Sequence, residues 1–199
     1  MVRRSRAETM EENRVKLVGA ARTAFAASGY AAASMDDLTA AAGLTRGALY
    51  HAFGDKLGLL GAVVAEVDGE MAARAKQAAA KAPDLWESLL AEASAHIEMA
   101  LEPEIQRIIL LDGPAYLGDP SEWPSTSACL ASIRARLSAL IADGVVRTVD
   151  ADAATRLLSG AAFNAALWVA AGPEPRARLP KAIAAFRMMA EGLLATSVR

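Results

Sequence analysis

The chain has 199 residues, is 54% hydrophobic with 5% aromatics, carries a net charge of −2, and is about a quarter alanine. That length can bury a substantial core in one or two domains, and alanine, which gives up no side-chain entropy in a helix, points to an all-α fold; no alternating strand pattern of useful length is visible. A single cysteine, Cys129, excludes an internal disulfide and fits the cytoplasm, the expected compartment.

Residues 1–58 hold eight Lys and Arg against six Asp and Glu, a modest basic excess at the N-terminal end. Arg3, Arg4 and Arg6 precede the first helix, where they suit phosphate or minor-groove contacts and equally a solvated tail. Glu8, Glu11 and Glu12 follow where a secretory signal would have an apolar run.

The stretch from Gly29 to Lys56, GYAAASMDDLTAAAGLTRGALYHAFGDK, reads as two short helices joined by a tight turn. Gly29 is suited to the left-handed conformation that closes a helix, Ser34 to capping the next, and Asp36 and Asp37 to its first turn. Met35, Leu38, Ala41 and Ala42 recur at helical spacing, Gly43 stops that helix, and Thr45 caps the one after it. Projected at about 100° per residue, the second helix turns Ala48, Leu49, Ala52 and Phe53 inward and Arg46, Gly47, Tyr50 and His51 outward. A purely structural helix gains nothing from a guanidinium, a phenol and an imidazole around a glycine, which lowers helix propensity by about 1 kcal/mol. The glycine makes sense if something bulky approaches the backbone. Lys56, just after the expected cap Asp55, places a cation at a helix N-terminus; it suits an approaching phosphate or a solvent pair with Asp55.

Phe25, Gly29-Tyr30, Ser34-Met35, Leu38, Ala42-Gly43-Leu44-Thr45, Gly47, Leu49-Tyr50-His51, Phe53 and Lys56-Leu57 together give a segment that resembles the DNA-binding domain of the TetR family of bacterial transcriptional regulators. The resemblance covers about the first 60 residues. Leu38-Thr39 stands where the family usually has Ile-Ala, and Ala52 where a second aromatic or polar residue is common. The resemblance implies a helix-turn-helix head over residues 1–56, and a helical ligand-binding and dimerisation domain over 57–199. It implies DNA contacts by Ser34, Thr45, Arg46, Gly47, Tyr50, His51 and Lys56.

Beyond the head, Pro83-Asp84 and Pro103-Glu104 open helices, and 113–124 reads as a loop containing Pro114, Gly118 and Pro120. Gly144, Asp150, Gly172-Pro173 and Leu179-Pro180 mark later boundaries, giving about nine helices in all. Trp86, His96, Met99, Leu110, Leu111, Tyr116, Trp123, Phe163, Asn164 and Trp168 suit an apolar ligand pocket, although aromatic and Met residues at helical spacing are commonly core. Asn164 is of interest because an amide buried in an apolar helix needs a partner. Cys129 shares a helix face with Leu130, Ile133 and Leu137 and reads as a structural thiol.

The last two helices are expected near 150–171 and 179–196. One face is Ala154, Leu157, Leu158, Ala161, Ala165 and Trp168, and the other Ile183, Phe186, Met189, Ala190 and Leu193. These faces suit self-association or ordinary core; the family resemblance implies homodimerisation through them. Two recognition helices about 34–36 Å apart would read an approximate palindrome in double-stranded DNA. Repression released by a small, largely apolar effector is the expected function.

An all-helical enzyme is the rival reading. His51 and His96 form no Glu-x-x-His pair for a di-iron bundle, Cys129 has no cysteine mate for zinc, and no GxxxxGK[ST] or GxSxG segment occurs. No catalytic residue, metal or cofactor is therefore expected, and the apolar run at 161–172 is too short to span a membrane. A helical ligand-binding or interaction protein without operator binding is the other alternative; it predicts that Arg46, Tyr50, His51 and Lys56 are replaceable.

Overall fold

Short polar side chains set the helix starts by taking up backbone N–H groups that the first turn leaves unpaired. Ser5 opens α1 (Arg6–Ser28) in a reciprocal capping box with Glu8, Ser34 opens α2 (Met35–Ala41), and Thr45 opens α3 (Arg46–Phe53). Asp55 takes the N–H of Gly58 at 2.7 Å in the first turn of α4 (Lys56–Ala79), and Asp84 caps α5 (Leu85–Met99). The structure, a computed structural model, describes residues 5–195.

α6 (residues 103–117) is continuous but not uniform. Pro103–Ile105 and Gly113–Leu117 are α-helical, and Gln106–Asp112 between them is π-helical. The expected loop therefore begins later than Gly113, at Gly118, whose φ is +81°. Pro114 is tolerated because it follows the widened turn, in which the Gly113 N–H reaches Ile108 O, and a proline ring needs room toward the preceding turn.

A 3₁₀ turn at Pro120–Glu122 leads into α7 (Pro124–Ala142), then α8 (Ala151–Ala170), capped by Asp150, and α9 (Pro175–Glu191). Pro180 does not mark a boundary, as its residue type suggests, but lies inside α9. It is exposed, so the carbonyl it leaves without an intrahelical partner can meet water. α9 stops at Glu191, short of the expected Thr196, which lies outside the described residues. Beyond it Val146 and Leu194 form an antiparallel bridge, with Ala195 N–H on Val145 O at 2.9 Å.

The packing divides the chain into two units. One runs to Val67 and includes Pro103–Gly118. Its core is Leu17, Val18, Ala21 and Phe25 of α1, Leu38 of α2, Leu49 of α3, the first half of α4, and Ile105, Ile108 and Ile109 of α6. Each such fully buried large side chain stabilises by about 1.5–3 kcal/mol. Thr39, at the position where the resemblance leads one to expect alanine, is buried too; its hydroxyl donates to Met35 O at 2.9 Å, so the polar group has a partner within its own helix.

The other unit comprises Asp68–Glu102 and the residues from Asp119 onward. Here α8 packs against α5, α7 and α9. Leu89, Leu90 and Ile97 of α5, Leu137 and Leu140 of α7, Ala162, Ala166 and Val169 of α8, and Phe186 and Ala190 of α9 are buried. No helix among the described residues is long and apolar enough to cross a membrane.

Candidate nucleic-acid interface

α3 is anchored by one fully buried residue, Leu49, with half-buried Phe53 a turn later beneath the Arg14 guanidinium, 5.2 Å from its ring centroid. Arg46, Gly47, Tyr50 and His51 are exposed, as the helical projection predicts. Ala52 is exposed as well, contrary to that projection, because the buried arc is narrow and centred between Leu49 and Phe53. Thr45 Oγ1 accepts the Ala48 N–H at 3.2 Å and Ser34 Oγ the Asp37 N–H at 3.0 Å. Each cap uses an oxygen lone pair, so the hydroxyl proton remains available for a phosphate.

Gly47 separates a folding requirement from an external one. A Cβ there would meet only Thr45 Oγ1, at 3.7 Å, and the backbone is ordinary helix. Nothing among the described residues needs glycine at this position.

Arg46 is paired. Its Nε donates to Asp36 Oδ1 and its Nη2 to Asp36 Oδ2, both at 2.5 Å. The hydrogen bond from Arg46 holds the Asp36 carboxyl below its ordinary range, and the same bond raises the guanidinium. Sequence position alone places Asp36 only in the first turn of its own helix, since partners ten residues apart on different helices leave no periodic signal.

Lys56 is half-buried rather than extended into solvent beside Asp55. Its Nζ lies 4.4 Å from the Tyr30 ring centroid, and burial lowers its pKa against the opposing pull of Asp112. Tyr30 stacks obliquely on Phe25 and Tyr116, with centroids 5.6 and 4.3 Å away, and burial raises its phenol.

The turn between α1 and α2 is held by α6. Buried Asp112 accepts the Tyr30 N–H at 2.7 Å and lies 3.4 Å from Arg107 Nε, while Arg107 Nη2 donates to Ser28 O at 3.4 Å. Gly29 has φ +83° and ψ 164°, a region open essentially to glycine but not the left-handed helical one expected, and a Cβ there would collide with the Arg107 guanidinium. Arg22 adds a bidentate pair to Glu104, at 2.7 and 2.9 Å. These contacts join residues about eighty positions apart, beyond the reach of local sequence patterns. Arg6 is exposed at the start of α1; Arg3 and Arg4 lie outside the described residues.

The residues expected to line a ligand pocket do not share one environment. Trp86, Met99 and Trp123 are buried, and the Trp123 indole N–H has no hydrogen-bond partner among the described residues. His96 and Phe163 are half-buried, and His96 Nδ1 contacts Glu92 O at 3.0 Å in its own helix. Leu110 is buried, whereas Leu111 and Tyr116 are exposed residues of α6 in the first unit. Asn164 is exposed, so the argument from a buried amide fails: it falls on the outer side of α8 with Leu157 and Trp168. The ring of Trp168 carries the Arg178 guanidinium 4.8 Å from its centroid.

Of the residues expected at a self-association surface, Leu157 is 74% and Met189 66% exposed, joined by Met188 at 73%. Ala161, Ala165, Ile183 and Leu193 are half-buried, and Phe186 points into the unit's own core. Cys129 is partly buried; desolvation, then Glu92, pushes its thiol up to about 12, as a structural thiol requires. Glu92 also pairs with Arg136, which reaches Ser88 Oγ at 3.3 Å, so this buried charge is compensated.

Comparison with known proteins gives two family matches: the bacterial regulatory proteins of the tetR family over residues 17–63, and the tetracyclin repressor-like C-terminal domain over residues 86–193. A crystal structure of a TetR-family transcriptional regulator from Pectobacterium atrosepticum is 48% identical, covers 97% of this chain and 99% of its own, and superposes with a TM-score of 0.84. RolR, solved in complex with resorcinol, shares the fold at a TM-score of 0.70 and 20% identity, over 96% of this chain and 99% of its own. The HTH-type transcriptional regulator SrpR of Pseudomonas putida is 43% identical over 65 residues, a match spanning 33% of this chain and 30% of that protein's length.

Proposed function

This chain belongs to the TetR family of bacterial regulatory proteins, and from that membership we propose that it is a repressor that binds a near-palindromic operator as a homodimer and is released by a small, largely apolar effector. The observation that carries the DNA reading is the exposed face of α3. Arg46, Tyr50 and His51 surround a glycine whose missing side chain serves no packing need among the described residues. Close approach of a DNA backbone supplies that need. In this reading residues 1–56 bind DNA and 57–199 sense and dimerise.

Dimerisation is supported by Leu157 and Trp168 on α8 and Met188 and Met189 on α9, large apolar side chains exposed in the single chain. The effector reading takes its support from the large apolar side chains of the second unit, Trp86, Met99 and Trp123 among them, which are buried there. Effector binding would act by changing the separation of the two recognition helices, and a coupling of a few kcal/mol suffices.

A mobility-shift titration with DNA flanking the gene, repeated across a salt series, tests the DNA reading. Tyr50→Ala or Lys56→Ala is expected to weaken binding across sequences, and Arg46→Ala to cost about 1–3 kcal/mol and relax one base position. Absence of salt-sensitive binding to any sequence would refute the regulator.

A further inference from the structure

Asp36 and Arg46 stand on different helices, yet each is fixed at its base. Ser34 caps α2 two residues before Asp36, whose own carbonyl accepts the buried Thr39 hydroxyl at 3.1 Å. Arg46 is the first residue of α3, directly after its cap Thr45. The two side chains meet in the open, 69% and 56% exposed. An isolated surface pair of this kind adds little to stability, so folding alone gives it no strong reason to exist.

The atoms used are informative. A guanidinium offers a bidentate side edge, Nε with one Nη2 hydrogen, and a bidentate end edge formed by Nη1 and the other Nη2 hydrogen. Asp36 occupies the side edge, through Nε on Oδ1 and Nη2 on Oδ2. The end edge has the fork spacing that matches O6 and N7 of guanine in the major groove. A long arginine side chain otherwise loses rotamer freedom on binding; held by Asp36, it loses less. The pair is also neutral as a unit, so it contributes little to phosphate attraction.

We propose that Asp36 is a specificity-positioning residue, which holds Arg46 by one guanidinium edge so that the other is presented to a guanine in each operator half-site. The inference rests on α3 being the DNA-reading helix. It assigns Asp36 a role through Arg46, without contact to a base.

The test uses the full-length protein and a random-sequence DNA duplex pool. Wild type is expected to enrich a palindrome with one fixed guanine in each half-site. Asp36→Ala should melt like wild type and, because it leaves the Arg46 charge uncompensated, bind the enriched duplex with a salt dependence at least as steep, yet lose about fivefold or more of its preference for that guanine over adenine. In an Arg46→Ala background, adding Asp36→Ala should change the base preference no further.

Two results overturn the inference alone: Asp36→Ala with undiminished guanine preference, whatever its affinity and salt dependence, or a further loss of that preference when Asp36→Ala is added to Arg46→Ala. The first would mean that the carboxylate only offsets the Arg46 charge, and the second that Asp36 acts without Arg46. A wild-type protein that enriches no sequence and binds no duplex overturns the DNA reading, and this inference falls with it.

Discussion

The exposed face of α3 and the exposed stripes of α8 and α9 are both surfaces that folding leaves uncovered, and their chemistry is opposite. α3 shows Arg46, Tyr50 and His51 around a glycine. The later helices show Leu157, Met188 and Met189, flanked by small residues such as Gly160, Ala184 and Ala185. Polar tips around an open backbone suit a charged partner whose attraction salt weakens; apolar side chains beside small ones suit a partner of the same kind, whose association salt barely affects. Exposure alone therefore says little, and the type of group exposed says which solvent property the surface answers to.

That contrast is most readily broken at the apolar stripes. Leu157→Asp combined with Met188→Asp is expected to convert a dimer into a folded monomer in sedimentation, and to lower operator affinity by roughly 10²–10⁴-fold because two half-sites are no longer engaged together. A dimer that persists would move the interface elsewhere.

The two glycines of the first unit give a smaller but more discriminating pair. Gly29→Ala should lose about 1–3 kcal/mol in thermal melts, since its φ of +83° excludes a side chain and Arg107 occupies the space. Gly47→Ala should instead gain up to about 1 kcal/mol through helix propensity while weakening operator binding. Loss of stability on Gly47→Ala would mean that the glycine serves the fold after all.

The smallest effect concerns Cys129. The folded thiol keeps its proton to about pH 12, whereas the same group ionises near 9 when solvated. Its contribution to stability is thus fully present below pH 9 and is lost progressively between about 9 and 12. Native protein at pH 8 should resist thiol reagents that modify it readily in denaturant, and Cys129→Ser should make the alkaline loss of stability shallower. Rapid labelling of the native thiol would contradict its burial against Glu92.

Much of the head is legible in the sequence because its determinants are local. Ser34, Asp36, Asp37, Gly43 and Thr45 act within a few residues of the backbone groups they cap or turn, and Leu49 takes its inward position from helical period alone. Periodicity is insufficient at Ala52, where the period is right but the width of the buried arc depends on what α3 packs against. It is insufficient again at Asn164 and Phe186: both sit in apolar helices, and only the neighbours of those helices decide which side faces inward. Pro114 and Pro180 mislead for a related reason, since a proline ends a helix only where nothing else accommodates its ring and the carbonyl it frees.

By itself, then, the sequence determined the helical class, the head with its turn and caps, and the outward set Arg46, Gly47, Tyr50 and His51, because these follow from propensity and period within a dozen residues. Tertiary structure decided the rest: that Asp36 takes one edge of Arg46, that Lys56 settles over Tyr30, and that Asp112 and Arg107 of α6 hold the Gly29–Tyr30 turn. Hydrogen bonds and ion pairs act over about 3 Å in space whatever their separation along the chain, and contacts between residues ten to eighty positions apart exist only once the helices have packed.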